Sequence, residues 1–278
     1  MTSSLALEAW PRWATMWCTA AVIYGTLKYL VWQQRLPRPT PWWRHIAFLL
    51  LWPGMDVDAF FDDQRVAARP SAAEWLFAFV KFALGAIIFF GLAYPLARAG
   101  RPIAAGWCGM VGIAFLLHFG VFHLLSCVWR QHGIWAPPIM SWPILSESVT
   151  AFWGRRWNLA FRDAAFRLLL LPLSVRWGTT TAMMLVYLIS GLLHELVVSW
   201  PAGEGWGWPT AYFVLQSLGM WLEHSPLARR LGLGHGWPRR LWAVVVVALP
   251  VTWLFPLPFV RKIIAPFVLD VGNFLLSP

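Results

Sequence analysis

Several uninterrupted apolar segments in this chain are long enough to cross a lipid bilayer. Residues 74–97, 103–129 and 179–200 are the clearest, and each exceeds the roughly 18 residues that a helix needs to span about 30 Å of hydrocarbon. Inside hydrocarbon the backbone N–H and C=O groups must bond to one another, and a helix satisfies them within one segment. The sequence therefore predicts an all-α fold, a polytopic transmembrane helical bundle.

Six apolar segments are predicted to span the membrane, with short basic or Pro/Gly-rich connectors between them. Their bounds are residues 13–32, 74–97, 103–129, 179–200, 209–223 and 241–259. Two shorter apolar pieces, 42–52 and 263–276, are predicted to be re-entrant, interfacial or tilted. Because no internal repeat and no long polar stretch appears, residues 1–278 are predicted to form a single integral membrane domain.

The composition supports a membrane location and limits the partners. Apolar residues make up 59% of the chain and charged residues 12%, far from the usage of soluble proteins. The net charge of +10 lies mostly in connectors, so it favours membrane lipids with anionic headgroups and gives no reason to expect nucleic acid. The three cysteines show no metal-binding spacing, and His118 and His123 are too far apart around a helix to form a metal pair. No metal site is predicted.

An ionisable pair, His194 and Glu195, lies inside the apolar segment 179–200. Ionisable groups at membrane depth are costly, so the pair is predicted to be functional. Helical spacing places Ser190 and Gly191 on or near the same face as His194, and the glycine would leave room beside the imidazole. A buried neutral histidine could accept a proton from a substrate hydroxyl. The alternative is an inter-helix hydrogen bond.

The second candidate is the segment Phe152-Trp-Gly-Arg-Arg-Trp-Asn158, which begins a helix-like stretch over residues 152–171. At about 100° per residue, Trp153 and Trp157 fall on an apolar arc while the arginines fall on the opposite one. This pattern predicts an amphipathic interfacial helix with Asn158 at the border between the two arcs, where its amide could face the membrane interior. A basic helix bound to anionic lipid is the alternative.

These two segments resemble a known family. The run from Ser146 to Asn158, followed by Ile189-Ser-Gly-Leu-Leu-His194-Glu195, is similar to the wax synthase branch of the membrane-bound O-acyltransferase (MBOAT) superfamily in its bacterial form. Leu51-Trp-Pro-Gly-Met-Asp56 and residues 118–130 are similar to the same branch. The resemblance covers a core of about residues 51–223 within the single domain.

The resemblance implies transfer of a fatty acyl group from acyl-CoA to the hydroxyl of a lipid alcohol. In family terms His194 would be the general base, and Asn158 would complete the catalytic site. Arg155 and Arg156 would bind the phosphates of CoA. The other residues expected to bind substrate are Trp153, Trp157, Ser190 and Gly191. Acyl-CoA would be a co-substrate, no further cofactor is expected, and the expected location is a bacterial inner membrane.

Two other functional classes were compared with the sequence, a different membrane enzyme and a protein without catalytic activity. A di-iron membrane desaturase needs several His-rich clusters, which seven scattered histidines do not supply. A lipid transporter or membrane scaffold would use His194 and Glu195 in a proton or substrate path, but the chain shows no internal symmetry. Transfer is expected to be direct, because no cysteine or serine is convincingly placed beside His194 as a nucleophile; Ser190, one turn before it, is the one candidate. The acceptor is a fatty alcohol, a sterol, a glycerolipid or an isoprenoid.

Overall fold

The computed structural model describes residues 10–36, 39–230, 232–233 and 235–276, so the two ends of the predicted domain lie outside the described residues. Within this part of the chain all regular structure is helical, which confirms the all-α prediction. Single turns occur at Val57–Phe60, Pro143–Leu145 and Pro226–Arg230. The longer helices are α1 (Arg12–Gln33), α2 (Trp42–Ile46, extended by Ala47–Leu51), α3 (Ala72–Arg98), α4 (Pro102–Gln131), α5 (Val149–Ala151, extended by Phe152–Arg156), α6 (Leu159–Ala202), α7 (Trp208–Glu223), α8 (Gly236–Leu254) and α9 (Leu257–Leu276).

Among the described residues, three helices, α3, α4 and α6, are long and apolar enough to cross a membrane, and each contains one of the predicted spans. The predicted spans 13–32 and 209–223 do form helices, but α1 is less apolar and α7 has only 16 residues. α1 therefore falls short of the other three in apolar character, and α7 falls short of them in length.

The predicted span over residues 241–259 is not a single continuous helix. The helix breaks at Phe255 and Pro256, because a proline disfavours the helical conformation of the residue before it. Residues 263–276, predicted as a separate apolar piece, belong to the second arm. The two arms, α8 and α9, are long and apolar enough to cross a membrane only together, as a pair bent by 57°.

Small residues allow the helices to pack closely. Gly106 and Gly109 of α4 lie directly against Val260 and Val268 of α9, where an added Cβ would come within 2.5 Å of a valine methyl group. Such contacts are typical of membrane helices, which gain little from burying apolar surface against one another. Many large apolar side chains remain exposed, Val175 by 85% for example, and form the surface that lipid would cover.

Gly178 bends α6 and sets the position of its second part. Its φ of 78° lies in the left-handed region, which glycine adopts without strain. The bend divides α6 into residues 159–177 and 179–202, and the second part contains the predicted span 179–200. α7 packs along this second part. The candidate site lies where α6 and α7 are in contact.

Candidate active site

Asn158 lies at a break between two helices, which corrects the prediction of one continuous amphipathic helix over residues 152–171. α5 ends at Arg156, Trp157 is extended, and Asn158 has a φ of 43° before α6 begins. Asparagine tolerates this left-handed conformation better than most residues with a side chain. The backbone N–H of Leu159 donates to the carbonyl oxygen of Ile139 at 2.9 Å, so the loop before α5 supports the turn.

The imidazole of His194 is fixed in one tautomer by its own helix. Its Nδ1 lies 2.7 Å from the carbonyl oxygen of Ser190. Because a carbonyl oxygen can only accept, Nδ1 carries the proton, and Nε2 of the neutral ring keeps its lone pair. Nε2 has no hydrogen-bond partner among the described residues. The half-buried ring packs against Phe213 of α7, with the ring centroids 4.4 Å apart. Nε2 can therefore act as a hydrogen-bond acceptor.

Aromatic side chains connect the motif of α5 to His194. The ring centroid of Trp153 lies 6.0 Å from that of Tyr187 and 5.6 Å from that of Phe213, which contacts the imidazole. The indole N–H of Trp153 donates to Oε1 of Gln216 at 3.1 Å, which fixes the ring against α7. Trp153 and His194 therefore belong to one contiguous wall formed by α5, α6 and α7.

The other motif residues face different surroundings. Trp157 stacks on Phe152 with centroids 5.5 Å apart and packs in the neighbouring cluster of α1, α2 and α4. Arg156 donates to the carbonyl oxygens of Ser141 and Trp142 and so holds the loop before α5. The guanidinium of Arg155 is exposed and makes no hydrogen bond to a described residue.

The amide of Asn158 likewise has no hydrogen-bond partner among the described residues, whereas the backbone N–H of Asn158 contacts Met140. The side chains of Asn158 and His194 are not bonded to each other. Both present free hydrogen-bonding groups, the first as a donor and acceptor and the second as an acceptor.

Ser190 and Gly191 have structural roles in the helices. The hydroxyl of Ser190 donates to the carbonyl oxygen of Val186 at 2.8 Å and makes no hydrogen bond to His194. The room expected beside Gly191 is filled, since an added Cβ would lie 2.7 Å from Cα of Thr210. The glycine thus allows α6 and α7 to approach closely at the level of the imidazole.

Glu195, the neighbour of His194, caps α7. Its Oε1 accepts hydrogen bonds from the backbone N–H groups of Gly207 and Thr210, both at 3.0 Å, and from the Thr210 hydroxyl at 2.8 Å. Its other oxygen, Oε2, is buried and has no partner among the described residues. The two members of the ionisable pair therefore have separate surroundings.

Glu223, at the other end of α7, was not identified from the sequence. It is buried, and its carboxylate accepts hydrogen bonds from the backbone N–H of Val149 at 2.6 Å, the backbone N–H of Thr150 at 3.1 Å and the Thr150 hydroxyl at 2.9 Å. These N–H groups lie in the first turn of α5, where they have no backbone partner within the helix. The one sequence feature that could have indicated it is the presence of an acidic residue at the end of an apolar segment. Glu223 joins α7 to the helix that carries the motif.

We expect Glu223→Ala to destabilise the protein by about 3 kcal/mol, because hydrogen bonds to a charged group are lost and buried N–H groups are left unpaired. Thermal unfolding of the purified protein in detergent measures this. The matched control is Glu147→Ala, which removes the same charge from an exposed pair with Arg240 and should cost less than about 1 kcal/mol. Equal effects of the two substitutions would contradict the anchoring role of Glu223.

A second polar cluster joins α3 and α4. The His123 Nε2–H donates to Oε1 of Glu74 at 3.0 Å, and Lys81 donates to Nδ1 of His123 at 2.6 Å. Ligand atoms of Glu74, His123 and Cys127 lie within 4.8 Å of one another, close enough for a metal ion, which the sequence did not predict. Arg130, however, is bonded to both Glu74 and Cys127. Two cations thus occupy this cluster, which makes it an ion-pair network between helices.

The comparisons with known proteins agree with the motifs. Residues 135–215, which include Asn158 and His194, match the membrane bound O-acyl transferase family. A long-chain-alcohol O-fatty-acyltransferase of Simmondsia chinensis is 36% identical over an alignment of 67 residues, and the match covers 21% of this chain. The match spans 19% of the length of that relative. The resemblance to the wax synthase-like branch of the membrane-bound O-acyltransferases, predicted from the two motifs, is confirmed by these matches.

Proposed function

We propose that the protein is a membrane-bound O-acyltransferase that transfers a fatty acyl group from acyl-CoA to the hydroxyl of a lipid alcohol. The observation that carries the proposal is the hydrogen bond from Nδ1 of His194 to the carbonyl oxygen of Ser190, because it leaves Nε2 as a proton acceptor. This histidine lies within the region that matches the acyltransferase family. The name of the Simmondsia relative, which specifies a long-chain alcohol, supports an alcohol as acceptor.

In the proposed reaction, the alcohol hydroxyl gives its proton to Nε2 of His194 while its oxygen attacks the carbonyl carbon of the thioester. A C–O bond forms and the C–S bond breaks. The proton then passes from the imidazolium to the departing CoA thiolate, so the products are an ester and free CoA. Transfer is direct, and the engagement of the Ser190 hydroxyl with Val186 supports this route over an acyl-enzyme.

The motif residues take the remaining roles in this proposal. The free amide of Asn158 donates to the thioester oxygen, on which negative charge develops during attack. The exposed guanidinium of Arg155 binds a phosphate of CoA, and Arg156 holds the adjacent loop in place. The protein is multi-pass in the inner membrane in this proposal, with acyl-CoA approaching from the cytoplasm and the alcohol from the bilayer.

An assay of the full chain in membranes tests the proposal. Labelled long-chain acyl-CoA is supplied with a fatty alcohol, a sterol or diacylglycerol, and the lipid products are separated. We expect labelled ester with the fatty alcohol and none in membranes that lack the protein. Absence of ester with every acceptor would contradict the proposed activity. Acyl label retained covalently on the Ser190 peptide of the purified protein would contradict direct transfer.

A further inference from the structure

The hydroxyl of Tyr187 is a polar group of α6 that the proposed mechanism does not use. The ring centroid of Tyr187 lies 6.0 Å from that of Trp153 in α5 and 6.4 Å from that of Phe213 in α7. The hydroxyl makes no hydrogen bond to a described residue, and it retains accessible surface. A phenylalanine ring could make the same two ring contacts, so packing alone does not account for the hydroxyl.

The neighbouring polar side chains of this wall are bonded within the protein. The amide of Gln216 donates to the carbonyl oxygen of Val246 at 2.8 Å, and its oxygen accepts from the indole described above. The hydroxyl of Tyr212 donates to the carbonyl oxygen of Val247 at 3.0 Å. Polar groups in apolar surroundings normally have such partners. The hydroxyl of Tyr187 is therefore free to bond to a ligand, as a donor or as an acceptor.

Tyr187 and His194 face the inside of the helix bundle. They are seven residues apart, almost two turns, so their side chains leave α6 within about 20° of each other, and both rings contact Phe213. Leu192 and Leu196 lie on the opposite, exposed side of the helix, about 160° from His194. The hydroxyl of Tyr187 and Nε2 of His194 nevertheless retain accessible surface. Both atoms therefore border a space inside the bundle.

Tyr187 lies between His194 and the motif of α5. Along α6 it is about 10 Å from His194, which is too far for a hydrogen bond to the reacting atoms. On its other side it contacts Trp153, two residues before the exposed Arg155. A molecule that extends from His194 to Arg155 would pass the hydroxyl of Tyr187.

We infer that the hydroxyl of Tyr187 binds the outer amide of the pantetheine arm of acyl-CoA. This role rests on the proposed function, which places the thioester at His194 and a CoA phosphate at Arg155. By ordinary bond lengths, an extended arm has its outer amide about 10 Å from the thioester carbon. The acyl chain and a fatty alcohol are hydrocarbon at that distance and offer the hydroxyl no partner. The amide, in turn, is costly to bury without one.

Binding of unreactive donor analogues tests the inference without requiring catalysis. S-hexadecyl-CoA, a thioether, has the whole pantetheine arm, whereas S-hexadecyl-N-acetylcysteamine has only the inner amide. The Kd of each is measured with the full-length protein in vesicles at a fixed lipid concentration. Tyr187→Phe removes the hydroxyl and keeps the ring. We expect it to bind S-hexadecyl-CoA about tenfold more weakly than the wild type does, as the loss of one hydrogen bond predicts. We expect it to bind the shorter thioether as well as the wild type does.

The matched control is Tyr212→Phe, which removes a hydroxyl of the same wall that is bonded within the protein. We expect this variant to change the Kd of both thioethers by the same factor. Equal Kd values for S-hexadecyl-CoA in the wild type and Tyr187→Phe, or equal weakening of both thioethers by Tyr187→Phe, would overturn the inference. Ester formation is measured separately. A wild type that binds the two thioethers as expected but makes no ester would contradict only the proposed function.

Discussion

Replacing His194 by alanine or glutamine should lower ester formation by about 10²- to 10⁴-fold, the usual contribution of a general base. The physical reason is that Nε2, the free proton acceptor created by the bond from Nδ1 to Ser190, is lost in both variants. Initial rates of ester formation at matched protein levels measure the effect. Glutamine retains much of the contact with Phe213. Equal losses in the two variants would therefore show that the rate depends on proton transfer and not on packing against Phe213.

The matched control is His224→Ala. The Nδ1 of His224 lies 2.8 Å from the carbonyl oxygen of Met220, the same bond to the preceding turn that His194 makes, but at the end of α7. We expect this variant to keep activity within about twofold of the wild type, because loss of a surface residue away from the site has small effects. Full activity of His194→Ala, or equal loss in His224→Ala, would disprove the assigned base.

Replacing Asn158 by glycine should lower the rate by about 10²- to 10³-fold, the typical cost of removing one donor to a developing oxyanion. Glycine adopts the φ of 43° at this turn freely, so the variant removes the amide but keeps the backbone. Asn158→Ala should lose similar activity and also about 1 kcal/mol of stability, because alanine is strained in the left-handed region. Steady-state rates and thermal unfolding of the two variants provide the comparison.

The two variants separate chemistry from conformation. If the asparagine served only to form the turn between α5 and α6, Asn158→Gly would be active and Asn158→Ala impaired. That outcome would remove Asn158 from the proposed mechanism. Loss of activity in both, with wild-type stability in the glycine variant alone, is the result that the proposed oxyanion contact requires.

The long helices could be predicted from the sequence because their causes are local. α3 and α4 follow uninterrupted apolar segments, and the bend at Gly178 lies just before a predicted span. The break at Asn158 could not be predicted from a helical wheel, since a wheel assumes that the helix continues. The bonds of Glu223 to Val149 and Thr150 join residues more than 70 positions apart, and no spacing rule reports such a contact.

The candidate site, like the fold, could be predicted from the sequence only in part. The identities of His194 and Asn158 were proposed from motifs, whereas the tautomer of the imidazole depends on a carbonyl that only the folded helix places there. The role of Gly191 differed from the expectation because the approach of α7 depends on packing across two helices. Residue types thus indicated the chemistry, while distances between elements required the structure.

The 16 residues of α7 give it a length of about 24 Å, some 6 Å less than a typical hydrocarbon core. A helix end that stops inside hydrocarbon normally leaves N–H groups without water to bind. At α7 the carboxylate of Glu195 replaces that water for the N–H groups of Gly207 and Thr210. The same cap would satisfy these N–H groups if this end of α7 lay inside hydrocarbon, so a span formed by α7 would not require a thinned bilayer.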